Sequence, residues 1–150
     1  MTSRAAVDRF LSLKKVALAG ASRSERKFGT AVLKDLKAKG YDLRLLHPEA
    51  AELYGIACFR TPADLPADTE SLILAVPPAQ TERLVRQAAE RGIKHIWMQQ
   101  GAESKAAIAF CRENGIEEIH GECILMFAEP LAWIHRAHRW IWRVLGKLPA

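Results

Sequence analysis

The sequence predicts an α/β fold: three layers around a mostly parallel sheet of about five strands, with an amphipathic helix at the C-terminal end. Two observations predict it. Short apolar runs alternate with amphipathic stretches, the pattern of βαβ units. Glycine or proline then closes most segments where a helix or strand must stop.

The elements follow in order. A short leading helix is expected over residues 5–12, and Val16 to Ala19 form the first strand. A helix from about Gly29 to Lys39 stops at Gly40, a suitable residue just past a helix end. Residues 41–46 read as a strand ending at His47-Pro48, and residues 56–59 as a short strand closed by Thr61-Pro62. The run SLILAV (71–76) is a buried strand broken by Pro77-Pro78, followed by a helix from Ala79 to about Arg91. KHIWM (94–98) is the next strand, then Gln99-Gln100-Gly101 and a helix to Asn114-Gly115, with a last strand at 116–119. Right-handed crossovers place the C-terminal ends of parallel strands on one edge, where ligands bind. Segments 20–29, 47–48, 76–78 and 99–101 all fall there.

The 150 residues carry a net charge of +5, unevenly placed. Residues 131–150 hold Arg136, Arg139, Arg143 and Lys147 and no acid, so the first 130 have 18 basic against 17 acidic residues. A body so nearly neutral excludes a nucleic-acid binder by charge. Residues 1–130 are expected to form one domain, with 131–150 a helix and not a domain. No apolar run reaches the roughly 18 residues of a spanning helix, and MTSRAAVDRF lacks a signal-peptide core, so a cytoplasmic address is expected. Cys58, Cys111 and Cys123 are odd in number and far apart, which indicates neither a disulfide framework nor a zinc site.

The most informative segment is Lys15 to Gly29. A buried strand passes through Gly20-Ala21-Ser22 into a loop carrying Arg23, Arg26 and Lys27 and meets a helix at Gly29. Helix N-terminal N–H groups and the helix dipole favour anions, so this pattern prepares a phosphate site. As a G-x-G-x-x-G fingerprint it fits poorly, because Ser22 and Glu25 stand at glycine positions. The following strand ends in His47-Pro48, with no carboxylate for an NAD ribose. Val76-Pro77-Pro78 offers a flat apolar wall suited to adenine. Gln99 and Gln100 bring neutral donors and acceptors, and Gly101 permits close backbone approach.

This ordered set of loops, with Cys123 near its end, resembles the CoA-binding domain family. Its small members are Rossmann-type proteins similar to the nucleotide-binding domain of the succinyl-CoA synthetase alpha subunit. The resemblance covers about residues 12–127. It implies coenzyme A or an acyl-CoA as ligand, with the diphosphate on Gly20 to Ser22 and the Gly29 helix. Ser22, Arg23 and Lys27, with the N–H groups of Ala21 and Ser22, would contact phosphate. His47, Pro48, Val76, Pro77 and Pro78 would frame the adenine. The family commonly has Asn before the proline and often Lys soon after; here His47 precedes it and Glu49-Ala50-Ala51 follows. That departure leaves the grip on the ribose 3′-phosphate to be supplied elsewhere, with Arg23, Arg26 or Lys27 as candidates.

No convincing catalytic or metal-binding group emerges. The five histidines form no ligand spacing, and Cys123 near His120 is three residues away in sequence, which does not establish contact. The phosphohistidine of the synthetase would come from a separate domain. The expected function is therefore non-catalytic binding of CoA. An NADP-dependent or acyl-transfer enzyme is the alternative from another class, because Arg or Lys can read a 2′-phosphate. In the tail, Leu131, Ile134, His138, Ile141, Leu145 and Leu148 recur at helical spacing beside the basic residues, with Trp133, Trp140 and Trp142 flanking. Such a helix covers the sheet, pairs two subunits as a homodimer, or docks on a partner or an anionic membrane surface.

Overall fold

The computed structural model describes residues 2–127. The helix expected over 131–150, with its membrane, partner and dimer readings, lies outside the described residues. The elements are α1 (Arg4–Ser12), β1 (Lys15–Ala19), α2 (Phe28–Ala38), β2 (Asp42–Leu46), β3 (Glu52–Leu53), β4 (Ile56–Phe59), β5 (Ser71–Leu74), α3 (Pro78–Glu90), β6 (His95–Gln99), α4 (Lys105–Glu113) and β7 (Glu117–Glu122).

The sheet has seven strands, not about five, in the order β3-β4-β2-β1-β5-β6-β7. Six run parallel and β3 pairs antiparallel with β4 at the edge. The six parallel strands have the spatial order of a Rossmann fold, with the chain leaving β1 in one direction for β2 and β4 and in the other for β5, β6 and β7. β3 escaped the sequence reading because it is two residues long. It joins β4 through Tyr54-Gly55, both at positive φ (51° and 77°), the backbone of a tight two-residue hairpin.

Side-chain alternation divides the core between the two faces. Val16, Leu18, Leu43, Leu45, Ile73, Trp97 and Ile119 pack with α1, α2 and residues 123–127. Ala17, Ala19, Leu46, Leu72, Leu74, Ile96 and Met98 pack with α3 and α4. Near-continuous apolar strands are what a sheet covered on both faces requires. Trp97 is the largest fully buried side chain. Its ring meets Phe10 edge-on at 5.4 Å and Phe127 at 5.9 Å, and its indole N–H donates to the Glu122 carbonyl at 3.1 Å. It thereby fastens β6 to β7 at the bulge between Trp97 and Gln99, where the register shifts.

Replacing Trp97 by Ala empties that space and leaves the Glu122 carbonyl with the Gln100 N–H alone; unfolding in urea followed by circular dichroism is expected to show a loss of about 3–5 kcal/mol.

Candidate functional site

The point where the strand order reverses lies between β1 and β5, and the first features there are two glycines. A Cβ on Gly20 would lie 2.2 Å from the Ala75 carbonyl oxygen, and Gly20 has φ 113°. A Cβ on Gly29 would lie 2.3 Å from the carbonyl carbon and oxygen of Gly20 and 2.8 Å from the Ala21 nitrogen. The first turn of α2 therefore rests directly on the turn after β1, which rests on the end of β5. Gly29 is a packing glycine that brings the helix N-terminus onto the turn.

Thr30, fully buried, braces the same junction. Its Oγ1 accepts from the Ser22 N–H and donates to the Ser22 carbonyl, both at 3.1 Å. The Ser22 amide, read from sequence as a phosphate donor, is thus already engaged inside the protein. Ser22 Oγ accepts from the Ser24 N–H, and Ser24 Oγ from the Arg26 N–H, so serines fold the loop upon itself. Tyr54, at the hairpin tip, donates its hydroxyl to the Arg23 carbonyl at 3.2 Å, while Lys37 donates to the Tyr54 carbonyl at 2.6 Å. Nothing in the sequence pattern pointed to Tyr54.

Three adjoining clefts run along the C-terminal edge. The middle one, about 260 Å³, lies at the switch point and is lined by Ala19, Gly20, Ala21 and Leu46 on its floor, by His47 and Pro48, and by Arg60, Val76, Gln80, Arg83 and Leu84. A second, about 330 Å³, holds Ser22, Arg23, Ser24, His47, Glu49 and Ala50. A third, about 290 Å³ and mostly apolar, is bounded by Phe28, Ala75, Val76, Pro77 and Gln99 to Ala102. His47 joins the first two and Val76 joins the first and third. The expected adenine frame is therefore divided: Pro48 faces the middle cleft and Pro77 the third. Pro78 is the first residue of α3, where its missing N–H costs nothing, and lines none of the three. Lys27 stands at the N-cap of α2 and is exposed.

His47 is held in one tautomer. Its Nδ1 accepts the N–H groups of Glu49 (3.1 Å) and Ala50 (2.9 Å), which leaves the proton on Nε2. Gln99 is buried, and its Oε1 accepts the Ile124 N–H at 3.2 Å, so this side chain holds the chain after β7. The Gly101 N–H is engaged by the Glu103 carboxylate at 2.8 Å, and Gly101 has φ 89° with open space around it.

The arginines sort by location. Arg4, Arg9, Arg44 and Arg112 pair with carboxylates, Arg91 donates to the Leu65 carbonyl and Arg86 stacks on Phe110. Among the described residues, the guanidinium groups without such a partner are those of Arg23, Arg26, Arg60 and Arg83, all at the C-terminal edge. Arg60 and Arg83 were missed by sequence reading, since no motif links a residue after β4 to one on α3.

The cysteine weighed as a nucleophile is buried. Burial pushes the Cys123 thiol up, against a hydrogen bond from Gln99, and pushes Cys111 up to about 12. His120 Nδ1 lies 2.5 Å from Glu118. Beside them Glu122 is buried with Oε2 lacking a hydrogen-bond partner; burial raises its carboxyl to about 7, opposed by His120. Among the described residues no group of three or more His, Cys, Asp or Glu is placed to hold a metal, and no helix is long and apolar enough to cross a membrane.

Comparison with known proteins places the chain among others. The profile of a family described as "CoA binding domain" matches residues 14–129. Over 81 residues the chain is 30% identical to an ADP-forming acetate–CoA ligase of Methanocaldococcus jannaschii, covering 54% of this chain but 12% of the ligase. It is 33% identical over 88 residues to a trans-feruloyl-CoA synthase, covering 57% of this chain and again 12% of the relative. Among solved structures, a conserved hypothetical protein of Pyrococcus furiosus superposes with TM-score 0.72 at 37% identity, covering 74% of this chain and 96% of that one. A hypothetical protein of Pyrococcus horikoshii superposes with TM-score 0.79 at 29% identity, covering 87% and 92%.

Two outcomes follow from this geometry. Gly29→Ala forces a methyl group into the Gly20 backbone and is expected to lose about 1–3 kcal/mol or more. Gly101→Ala strains only its own backbone, so it is expected to lose about 1 kcal/mol, at the low end of such strain; paired thermal melts compare the two. Glu122 binds its proton more tightly folded than unfolded, so its contribution to stability is complete below about pH 4.5 and is lost as pH rises through about 7. Glu122→Gln is expected to remove that loss, leaving the variant more stable than the parent at pH 8 by up to about 3 kcal/mol in denaturant titrations.

Proposed function

The chain belongs to the CoA binding domain family, and from that premise we propose that it binds coenzyme A or an acyl-CoA without catalysing a reaction by itself. The observation that carries this reading is the contact of Gly29 with Gly20. It sets a helix N-terminus, with Arg23 and Lys27 beside it, at the switch point of the sheet. The diphosphate lies on the turn Gly20 to Ser22 and the first turn of α2, where unpaired N–H groups and the dipole favour negative charge. The adenosine enters the middle cleft against Pro48 and Val76. The pantetheine arm crosses Val76 into the apolar cleft of Phe28, Pro77, Gln99 and Gly101.

The absence of chemistry in this reading rests on the groups at that edge. His47 Nδ1 is committed to two backbone N–H groups. The buried Cys123 thiol is held away from its nucleophilic form. The part shared with the ligase is a small fraction of that enzyme, which fits a ligand-holding module.

Calorimetry and thermal shift with CoA, acetyl-CoA, NAD and NADP test the proposal. At a hundredfold excess over the dissociation constant, CoA is expected to add about 2.7 kcal/mol, a rise in Tm of about 5–10 °C. No response to millimolar CoA, or a stronger one to NADP, overturns it.

A further inference from the structure

The middle cleft carries charge that a diphosphate on α2 leaves unused. Its floor is the ends of β1 and β2, and its apolar side is Ala19, Leu46, Val76 and Leu84. Arg60 follows β4 directly, and β4 lies beside β2 in register, Leu46 opposite Phe59. Arg83 stands one turn after Gln80 on α3, so the two share a helix face toward the cleft. Both arginines are exposed and neither meets a carboxylate among the described residues. The lining of this cleft contains no acidic residue. In the neighbouring cleft, by contrast, Arg23 shares the wall with Glu49. His47, with its proton on Nε2, lines both.

Two forked cations without a counter-charge, a neutral amide and a neutral imidazole around an apolar floor suit a nucleoside carrying a dianionic phosphate monoester. We propose that Arg60 and Arg83 are the specificity-determining residues for the ribose 3′-phosphate of the ligand, so that the protein distinguishes CoA from dephospho-CoA. The inference rests on the CoA reading and supplies a 3′-phosphate grip that the sequence after Pro48 lacks.

The test is calorimetry of the full chain with CoA and with dephospho-CoA at one fixed salt concentration. The parent is expected to bind CoA at least tenfold more tightly. Arg60→Ala and Arg83→Ala are each expected to weaken CoA by about tenfold or more, the size of a lost hydrogen bond to a charged group. The same variants are expected to change dephospho-CoA by less than about threefold. Exposed side chains of this kind contribute little to folding, so circular dichroism melts of both variants are expected to match the parent. Arg60→Lys, which keeps the charge and loses the fork, falls between parent and Arg60→Ala. Equal affinity of the parent for both ligands overturns the assignment while leaving the CoA reading intact. So does an equal loss for both ligands in the variants, which marks the arginines as a stacking surface for the base. Failure of both ligands to bind overturns the CoA reading and this assignment together.

Discussion

Everything at the C-terminal edge depends on there being no side chain between β1, β5 and α2. The Gly20 backbone touches Ala75 on one side and Gly29 on the other, at distances that no Cβ permits. This close approach lowers the helix onto the turn and directs its unpaired N–H groups at one spot. The clefts around the junction differ in character, apolar beside Phe28 and Pro77 and more polar around His47. Thr30, buried beneath, keeps Ser22 against α2 from inside the protein.

Charge is then distributed around this junction by pairing. Arg9, Arg44, Arg91 and Arg86 are held by carboxylates, a carbonyl or a ring, which fixes them and mutes their field. Those beside the switch point keep their donors available. The polar loop between β1 and α2 is held by serine side chains and by the Tyr54 hydroxyl, not by its cations, so ordering the loop does not consume the groups that face solvent.

Much of the fold was legible because both faces of the sheet are covered. Strands such as Val16 to Ala19 and Leu72 to Leu74 must then be apolar throughout, and glycine or proline ends most of the segments between them. In the edge hairpin β4 was legible but β3 and the turn were not: a two-residue strand has no period, and Tyr54 adopts positive φ without being glycine. For the site, the loops named from sequence lie together at the C-terminal edge, and the structure adds how each is held. Gly29 stood in the expected place, though its task is close packing. The Ser22 amide and the Gln99 side chain are engaged internally. Arg60 and Arg83 are 23 positions apart; only the pairing of β4 with β2 and the passage of α3 over the sheet bring them to one cleft.

The hairpin also bears on how copies of this protein meet. An open sheet exposes a row of unpaired backbone groups at each edge, a template for strand addition and aggregation. Here one edge is closed by β3, too short to offer more than a rung or two to an incoming chain. The other is β7, which places Glu117, Glu118 and Glu122 along six residues and carries a bulge at its end. Among the described residues, growth of the sheet from molecule to molecule is thus disfavoured at both margins.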